Sequence, residues 1–194
     1  ESLLVLGAAG GVGLAAVELG KAMGAKVIAA ASSEEKLQTC KEHGADEVLL
    51  YPSGKMDRDQ QKKLSDDIKE LTNGQGADVV YDPVGGDYAE PALRATAWEG
   101  RYLVVGFAAG DIPKIPLNLA LLKGCQIVGV FWGAFKGREV EAHNANVDEL
   151  LKLYGDGHLK PHISSIYSLE EGSKAISDLA ERKARGKVIV QVRA

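Results

Sequence analysis

The residues best suited to chemistry stand near the start of the chain. Gly7-Ala8-Ala9-Gly10-Gly11-Val12-Gly13 is a turn of small residues between the apolar run Leu3-Leu4-Val5-Leu6 and a helical pattern through Ala15, Ala16, Leu19 and Met23. Counted back from Gly13, it is an A-x-G-x-x-G variant of the dinucleotide fingerprint, with Ala8, Gly10 and Gly13 at the three small positions. Each position has a physical demand: one residue permits the tight turn, one lets a pyrophosphate reach the backbone, and one lets the helix pack against the strand. The helix N-terminus then presents unpaired N–H groups and a positive dipole end to the phosphates. No Gly-Lys-Ser/Thr follows, so the turn is not a phosphate-clamping P-loop.

The end of the second strand distinguishes one nucleotide from another. An acid there bonds the ribose diol of NAD. Here the position is Ser32, with Lys36 one helical turn on and Tyr51 at the end of the third strand. A hydroxyl and an ammonium suit a 2′-phosphate, so the expected cofactor is NADP(H). The competing ribose acids, Glu34 and Glu35, read better as first-turn helix residues. A serine cap at Ser32 and Glu35 three residues on would form a capping box. Lys36 also has the ordinary reading of a solvated helix lysine.

Other candidates carry less. His158 and His162 are four apart, but Pro161 between them opposes a helix and no acid or cysteine completes a set. Cys40 and Cys125 form no CxxC or ligand spacing, so neither a metal site nor a disulfide framework is expected. Asp82, before Pro83, reads as a loop-shaping residue. A net charge of −4 gives no basis for nucleic-acid or anionic-membrane binding, and no run approaches the roughly 20 apolar residues of a membrane span. The expected setting is intracellular and soluble, cytoplasmic or mitochondrial. The chain begins at Glu1 and enters a strand at once, which suggests an excised domain.

The elements that must position these residues alternate. Strands are expected at Leu3–Leu6, Lys26–Ala31, Glu47–Leu50, Ala77–Asp82, Arg101–Gly106, Gln126–Phe131 and Lys187–Val192. Helices are expected between them, one running from about Asp87 to Trp98 and later ones through Val147–Tyr154 and Ala175–Ala180. Continuously apolar strands alternating with amphipathic helices give an α/β chain. Its doubly wound, mostly parallel sheet is of the Rossmann type, with six main strands and helices on both faces. Residues 1–160 read as the dinucleotide-binding domain and 161–194 as a helix-and-strand appendage.

Four stretches carry a family resemblance: Val5-Leu-Gly-Ala-Ala-Gly-Gly-Val-Gly13, Tyr81-Asp-Pro-Val-Gly-Gly86, Trp98-Glu-Gly-Arg-Tyr-Leu-Val-Val-Gly-Phe107 and Gly129-Val-Phe-Trp-Gly133. Together they resemble the quinone oxidoreductase branch of the medium-chain dehydrogenase/reductase superfamily, over essentially the whole chain. The resemblance implies that Ala9, Gly10, Gly11 and Val12 hold the pyrophosphate and that Ser32, Lys36 and Tyr51 surround the 2′-phosphate. It implies that Gly86 borders the ribose and that Val104, Val105, Gly106 and Phe107 lie along the nicotinamide half. Val130, Phe131 and Trp132 would then hold the nicotinamide end through their backbone. The valines and phenylalanines are equally readable as core strand residues.

The resemblance further implies a zinc-independent, NADPH-dependent reductase of a quinone or α,β-unsaturated carbonyl, compatible with a homodimer. Members of the branch pair this domain with an N-terminal GroES-like domain, against which residues 161–194 would pack and without which turnover should be poor or nil. A nucleotide-binding redox sensor or structural module without turnover is the alternative. A methyltransferase, whose fold also opens on a Gly-rich turn, is opposed by the motifs at Tyr81 and Gly129.

Overall fold

The computed structural model describes residues 1–181 and 183–193. The first half alternates strictly: β1 (Ser2–Leu6), α1 (Gly11–Ala22), β2 (Lys26–Ala31), α2 (Glu34–Glu42), β3 (Glu47–Leu50), α3 (Arg58–Leu71) and β4 (Ala77–Asp82). A single 3-10 turn (Gly86–Tyr88) leads into α4 (Ala89–Arg94), β5 (Thr96–Val104), α5 (Asn118–Lys123) and β6 (Gln126–Gly129). Then come α6 (Trp132–Arg138), α7 (Val140–Gly155), β7 (Ile163–Ser168), α8 (Gly172–Ala180) and β8 (Lys187–Gln191).

The six strands β1 to β6 form one sheet in the order β3-β2-β1-β4-β5-β6, with every pairing parallel. The order reverses between β1 and β4, and in such sheets a crevice opens at the carboxyl ends of the strands at that point. Apolar residues occupy both faces of the central strands. Leu4, Leu6, Ile28, Ala30 and Val80 join Leu64 and Ile68 of α3 and Leu93 of α4 on one face. Val5, Val27 and Ala29 join Leu14 and Val17 of α1 and Cys40 of α2 on the other. Each fully buried Val, Leu or Ile contributes roughly 1.5–3 kcal/mol, which is why these strands read as unbroken apolar runs.

Three local expectations are corrected. The cap of α2 is Ser33, whose hydroxyl accepts from the Lys36 N–H, so the box expected from Ser32 and Glu35 does not form. The helix expected over 87–98 ends at Arg94. Thr96, fully buried, already pairs with Ala77, and the strand then kinks through Glu99, at φ +58°, before resuming register at Arg101. The sixth strand stops at Gly129, although the Val130 N–H still donates to the Val104 carbonyl oxygen at 2.9 Å.

The tail holds a strand that the sequence did not announce. β7, in the polar stretch after Pro161, pairs in parallel with β8, and α8 crosses between them. This small sheet meets the main body at the fingerprint turn, where Gly10 and Gly186 form an isolated parallel bridge.

Candidate functional site

A cavity of about 760 Å³ lies at the carboxyl ends of β1 to β4. Its floor is the fingerprint: Ala9, Gly10, Gly11, Val12 and Gly13 all border it. The turn is set by backbone bonds. The Ala8 N–H donates to the Ala30 carbonyl oxygen and the Gly10 N–H to that of Gly7, each at 3.0 Å. Gly13 is required for the close approach of helix and turn, since a Cβ there would lie 2.4 Å from the Gly7 carbonyl oxygen. Gly10, at the cap position before α1, supplies no side-chain cap, so the first-turn N–H groups of α1 face the cavity without intrahelical acceptors.

The polar end of the cavity is formed by Ser32, Lys36 and Tyr51. Because Ser33 caps α2, the Ser32 hydroxyl is released toward the cavity, where the Lys36 Nζ donates to its Oγ at 3.5 Å. The Tyr51 hydroxyl accepts from the Gly7 N–H at 3.1 Å, and its ring packs on Tyr88 at 4.7 Å between centroids. Burial raises the Tyr51 pKa well above its ordinary value, so the phenol keeps its proton and can donate. Neither Glu34 nor Glu35 borders the cavity, and Glu35 pairs instead with Arg185 at 2.8 Å. The one lining carboxylate among the described residues, Glu181, pairs with Lys183 at 2.5 Å.

Asp82 shapes the opposite side. Its Oδ1 accepts the N–H groups of Val84 at 2.7 Å and Gly85 at 2.9 Å, while its Oδ2 accepts the Tyr102 hydroxyl. Its carbonyl oxygen accepts the N–H groups of Val105 at 2.9 Å and Gly106 at 3.3 Å. One buried residue thus joins the ends of β4 and β5 and presents Pro83 and Val84 to the cavity. This is the loop-shaping role that Asp82 has in the sequence.

The remaining residues singled out from the sequence lie outside that cavity. Gly86 opens the 3-10 turn and donates its N–H to the Asp111 carbonyl oxygen at 3.1 Å. Val104 ends β5 and Val105, Gly106 and Phe107 follow it, while Val130, Phe131 and Trp132 follow β6. Phe131 and Trp132 are largely exposed.

Several cavity residues have no sequence signal of their own. Ser53 and Gly54 form a rim, held by the Tyr88 hydroxyl, which donates to the carbonyl oxygens of Pro52 at 2.9 Å and Gly54 at 3.0 Å. Leu179, Ala184 and Gly186 come from the tail, which folds back over the fingerprint. The Gly186 N–H donates to the Ala9 carbonyl oxygen at 2.9 Å. The basic-glycine-basic run Arg185-Gly186-Lys187 was the available hint of a turn.

His162 lies edge-on to His43 at 5.3 Å between ring centroids, and the His43 Nδ1 is 2.6 Å from the Glu18 Oε1. Among the described residues no group of three or more His, Cys, Asp or Glu side chains is placed to hold a metal ion. Among the described residues no helix is long and apolar enough to cross a membrane. Burial pushes the Cys40 thiol up to about 12, which leaves it an unreactive core residue.

With this geometry, comparison with known proteins is informative. The family model described as zinc-binding dehydrogenase matches residues 11–150. A quinone oxidoreductase-like protein 2 homolog from Nematostella vectensis is 38% identical over 195 residues, covering 100% of this chain and 51% of the relative. An NAD-dependent alcohol dehydrogenase from Sulfolobus acidocaldarius is 30% identical over 194 residues, covering 99% of this chain and 51% of that one. The crystal structure of Escherichia coli quinone oxidoreductase complexed with NADPH superposes with a TM-score of 0.83 at 28% identity, over 99% of this chain and 57% of that one. The chain spans about half the length of the curated relatives it matches. It belongs to the zinc-binding dehydrogenase family within the medium-chain dehydrogenase/reductase superfamily, as the nucleotide-binding part of a member of the quinone oxidoreductase branch.

Proposed function

We propose that this chain is the NADP(H)-binding part of a zinc-independent oxidoreductase that passes hydride from NADPH to a quinone or an α,β-unsaturated carbonyl. The observation that carries the cofactor choice is the pair at the end of β2: the Ser32 Oγ and the Lys36 Nζ, 3.5 Å apart, in a cavity whose one carboxylate among the described residues, Glu181, is paired with Lys183. An acid at that point bonds a ribose diol, whereas a hydroxyl with an ammonium favours a phosphate. The NADPH complex of the E. coli quinone oxidoreductase supports the same reading.

The cavity fits a dinucleotide. About 760 Å³ lies within the range of ligand pockets, and the glycine turn leaves space where side chains would otherwise stand. Ala9 to Val12 would hold the pyrophosphate through the backbone, and Ser32, Lys36 and Tyr51 the 2′-phosphate. Gly86, Val104 to Phe107 and Val130 to Trp132 would follow the ribose and nicotinamide. When bound, the nicotinamide supplies the hydride chemistry, and the protein's part is to orient it and keep water away.

Residues 1–160 act as the binding domain in this reading. Residues 161–194 brace it and reach toward a second domain that completes the substrate cleft. β6, the exposed last strand of the sheet, carries Ile127 and Val128 in the open. An unpaired edge of this kind is a template for a second chain, so β6 is the surface on which a homodimer would form.

The test is NADPH consumption by the full-length protein with a panel of quinones and enones. Turnover at ordinary enzyme rates, on the order of 1–1000 per second, with the full-length protein but not with residues 1–194 alone is expected. A full-length protein that binds NADPH yet reduces nothing in the panel would favour a sensing or structural module instead.

A further inference from the structure

Tyr102 sits in the core, and its hydroxyl is turned to a buried carboxylate. It stands in β5 opposite Val80 of β4 and belongs to the apolar cluster of Leu4, Leu6 and Leu93. The hydroxyl donates to the Asp82 Oδ2. Burial, with the carboxylate beside it, raises the phenol well above its ordinary pKa, so the proton stays on Tyr102. The N–H groups of Val84 and Gly85 reach the other oxygen, Oδ1, and among the described residues the phenol is the donor to Oδ2. A buried carboxylate oxygen deprived of its donor costs more than an average hydrogen bond is worth. Without the hydroxyl the carboxylate would turn toward another donor, and the bonds that hold Val84 and Gly85 would move with it.

Those bonds govern two loops at once, because the loop after β4 is laced to the loop after β5. The Ala108 N–H donates to the Pro83 carbonyl oxygen at 3.0 Å, the Ala109 N–H to that of Val84 at 2.8 Å, and the Gly86 N–H to that of Asp111 at 3.1 Å. There is no slack between the loops: a Cβ on Gly85 would lie 2.8 Å from the Phe107 Cδ1, and one on Gly86 would lie 2.9 Å from the Ala109 Cβ. The Asp82 carbonyl oxygen holds Val105 and Gly106, and the Val104 carbonyl oxygen holds the Val130 N–H. A shift of the Asp82 side chain therefore reaches Gly86, Val105 to Phe107 and the end of β6 together. Ser32, Lys36 and Tyr51, at the other end of the cavity, are held by different bonds.

We propose that Tyr102 is a positioning residue for the nicotinamide half of the cofactor, which it sets from within the core through the Asp82 carboxylate. The proposal rests on the reading of the cavity as a dinucleotide site and adds to it a residue that touches no ligand. The hydroxyl serves the half of the dinucleotide that reacts, not the half that distinguishes NADPH from NADH.

The test compares the unmodified full-length protein with Tyr102→Phe, Asp82→Asn and the double variant. Calorimetry gives the affinities for NADPH and for adenosine 2′-monophosphate. Fluorescence gives the emission of bound NADPH, whose reduced nicotinamide emits more strongly when it is held rigidly. Tyr102→Phe keeps the ring in the core and should fold, as circular dichroism will report. It should bind adenosine 2′-monophosphate as the unmodified protein does, weaken NADPH by up to about tenfold and diminish the emission of what is bound. In the Asp82→Asn background the same change should have a smaller effect, because no buried carboxylate is then left without its donor. Unchanged NADPH affinity and emission in Tyr102→Phe overturn the assignment. So does a variant that unfolds or loses both ligands in step, because the hydroxyl would then be holding the fold. Equal effects in the two backgrounds overturn it too, because Tyr102 would not be acting through Asp82. An unmodified protein that binds neither NADPH nor adenosine 2′-monophosphate defeats the dinucleotide reading itself, before any variant is compared.

Discussion

The Tyr51 hydroxyl accepts the Gly7 N–H at 3.1 Å, tying the residue that follows β3 to the first residue of the fingerprint turn. The same side chain borders the cavity beside Ser32 and Lys36, so it supports the turn through its lone pair and, in the proposed reading, would offer its proton to the 2′-phosphate.

Tyr51→Phe removes both roles while keeping the ring on Tyr88. The Gly7 N–H loses its acceptor, which should lower stability by about 1 kcal/mol. Urea denaturation should show an earlier midpoint with an unchanged slope. NADPH affinity should fall more than NADH affinity. An unchanged midpoint would show that the bond does not support the turn.

Gly10→Val separates binding from folding. A Cβ at Gly10 meets nothing closer than the Gly7 carbonyl oxygen at 3.4 Å, an ordinary contact, so the fold should survive. The isopropyl group would then project where a pyrophosphate must approach the backbone. Circular dichroism should be close to that of the unmodified protein, and NADPH binding should be lost. Retained affinity in a folded Gly10→Val protein would remove the fingerprint from the site.

Most of the sheet was legible because its strands are buried on both faces. Leu3–Leu6 and Lys26–Ala31 have no polar alternation to misread, and glycines punctuate their ends. The floor of the site was legible for the same reason: strand, small-residue turn and helix are contiguous in the chain. Local ambiguity defeated other points. Ser32 and Ser33 are both competent caps, and only the backbone geometry selects Ser33. Asp87 to Trp98 has helix-compatible composition, but the burial of Thr96 against β4 draws the chain into the sheet early. The tail was the least legible part. Its seat on Ala9 joins residues 177 positions apart through a glycine backbone, which leaves no pattern of side chains to read.

Alkaline stability should report the buried thiol. Burial raises the folded-state pKa of Cys40 from 9.0 to about 12. The stabilising contribution is therefore complete below about pH 9 and is lost as pH rises toward 12, because the unfolded state releases a proton that the folded state retains. The slope is up to about 1.4 kcal/mol per pH unit. Denaturant midpoints measured from pH 8 to 11 should fall with pH. Cys40→Ala, although less stable throughout because of the cavity it leaves, should fall less steeply. Identical slopes for the two proteins would contradict the burial of an ionisable thiol.

The central claim is tested most directly by the affinities of the unmodified protein for NADPH and NADH, measured side by side by calorimetry at one ionic strength. With the Ser32 hydroxyl and the Lys36 ammonium facing the 2′-phosphate, NADPH should bind at least about tenfold tighter, one charge-assisted bond's worth after screening by water. Ser32→Asp should erase that preference by repulsion, and Lys36→Ala should weaken NADPH while leaving NADH nearly unchanged. Equal affinities for the two cofactors in the unmodified protein would contradict the 2′-phosphate pocket and return the ribose diol, with Glu34 or Glu35, as the group recognised at the end of β2.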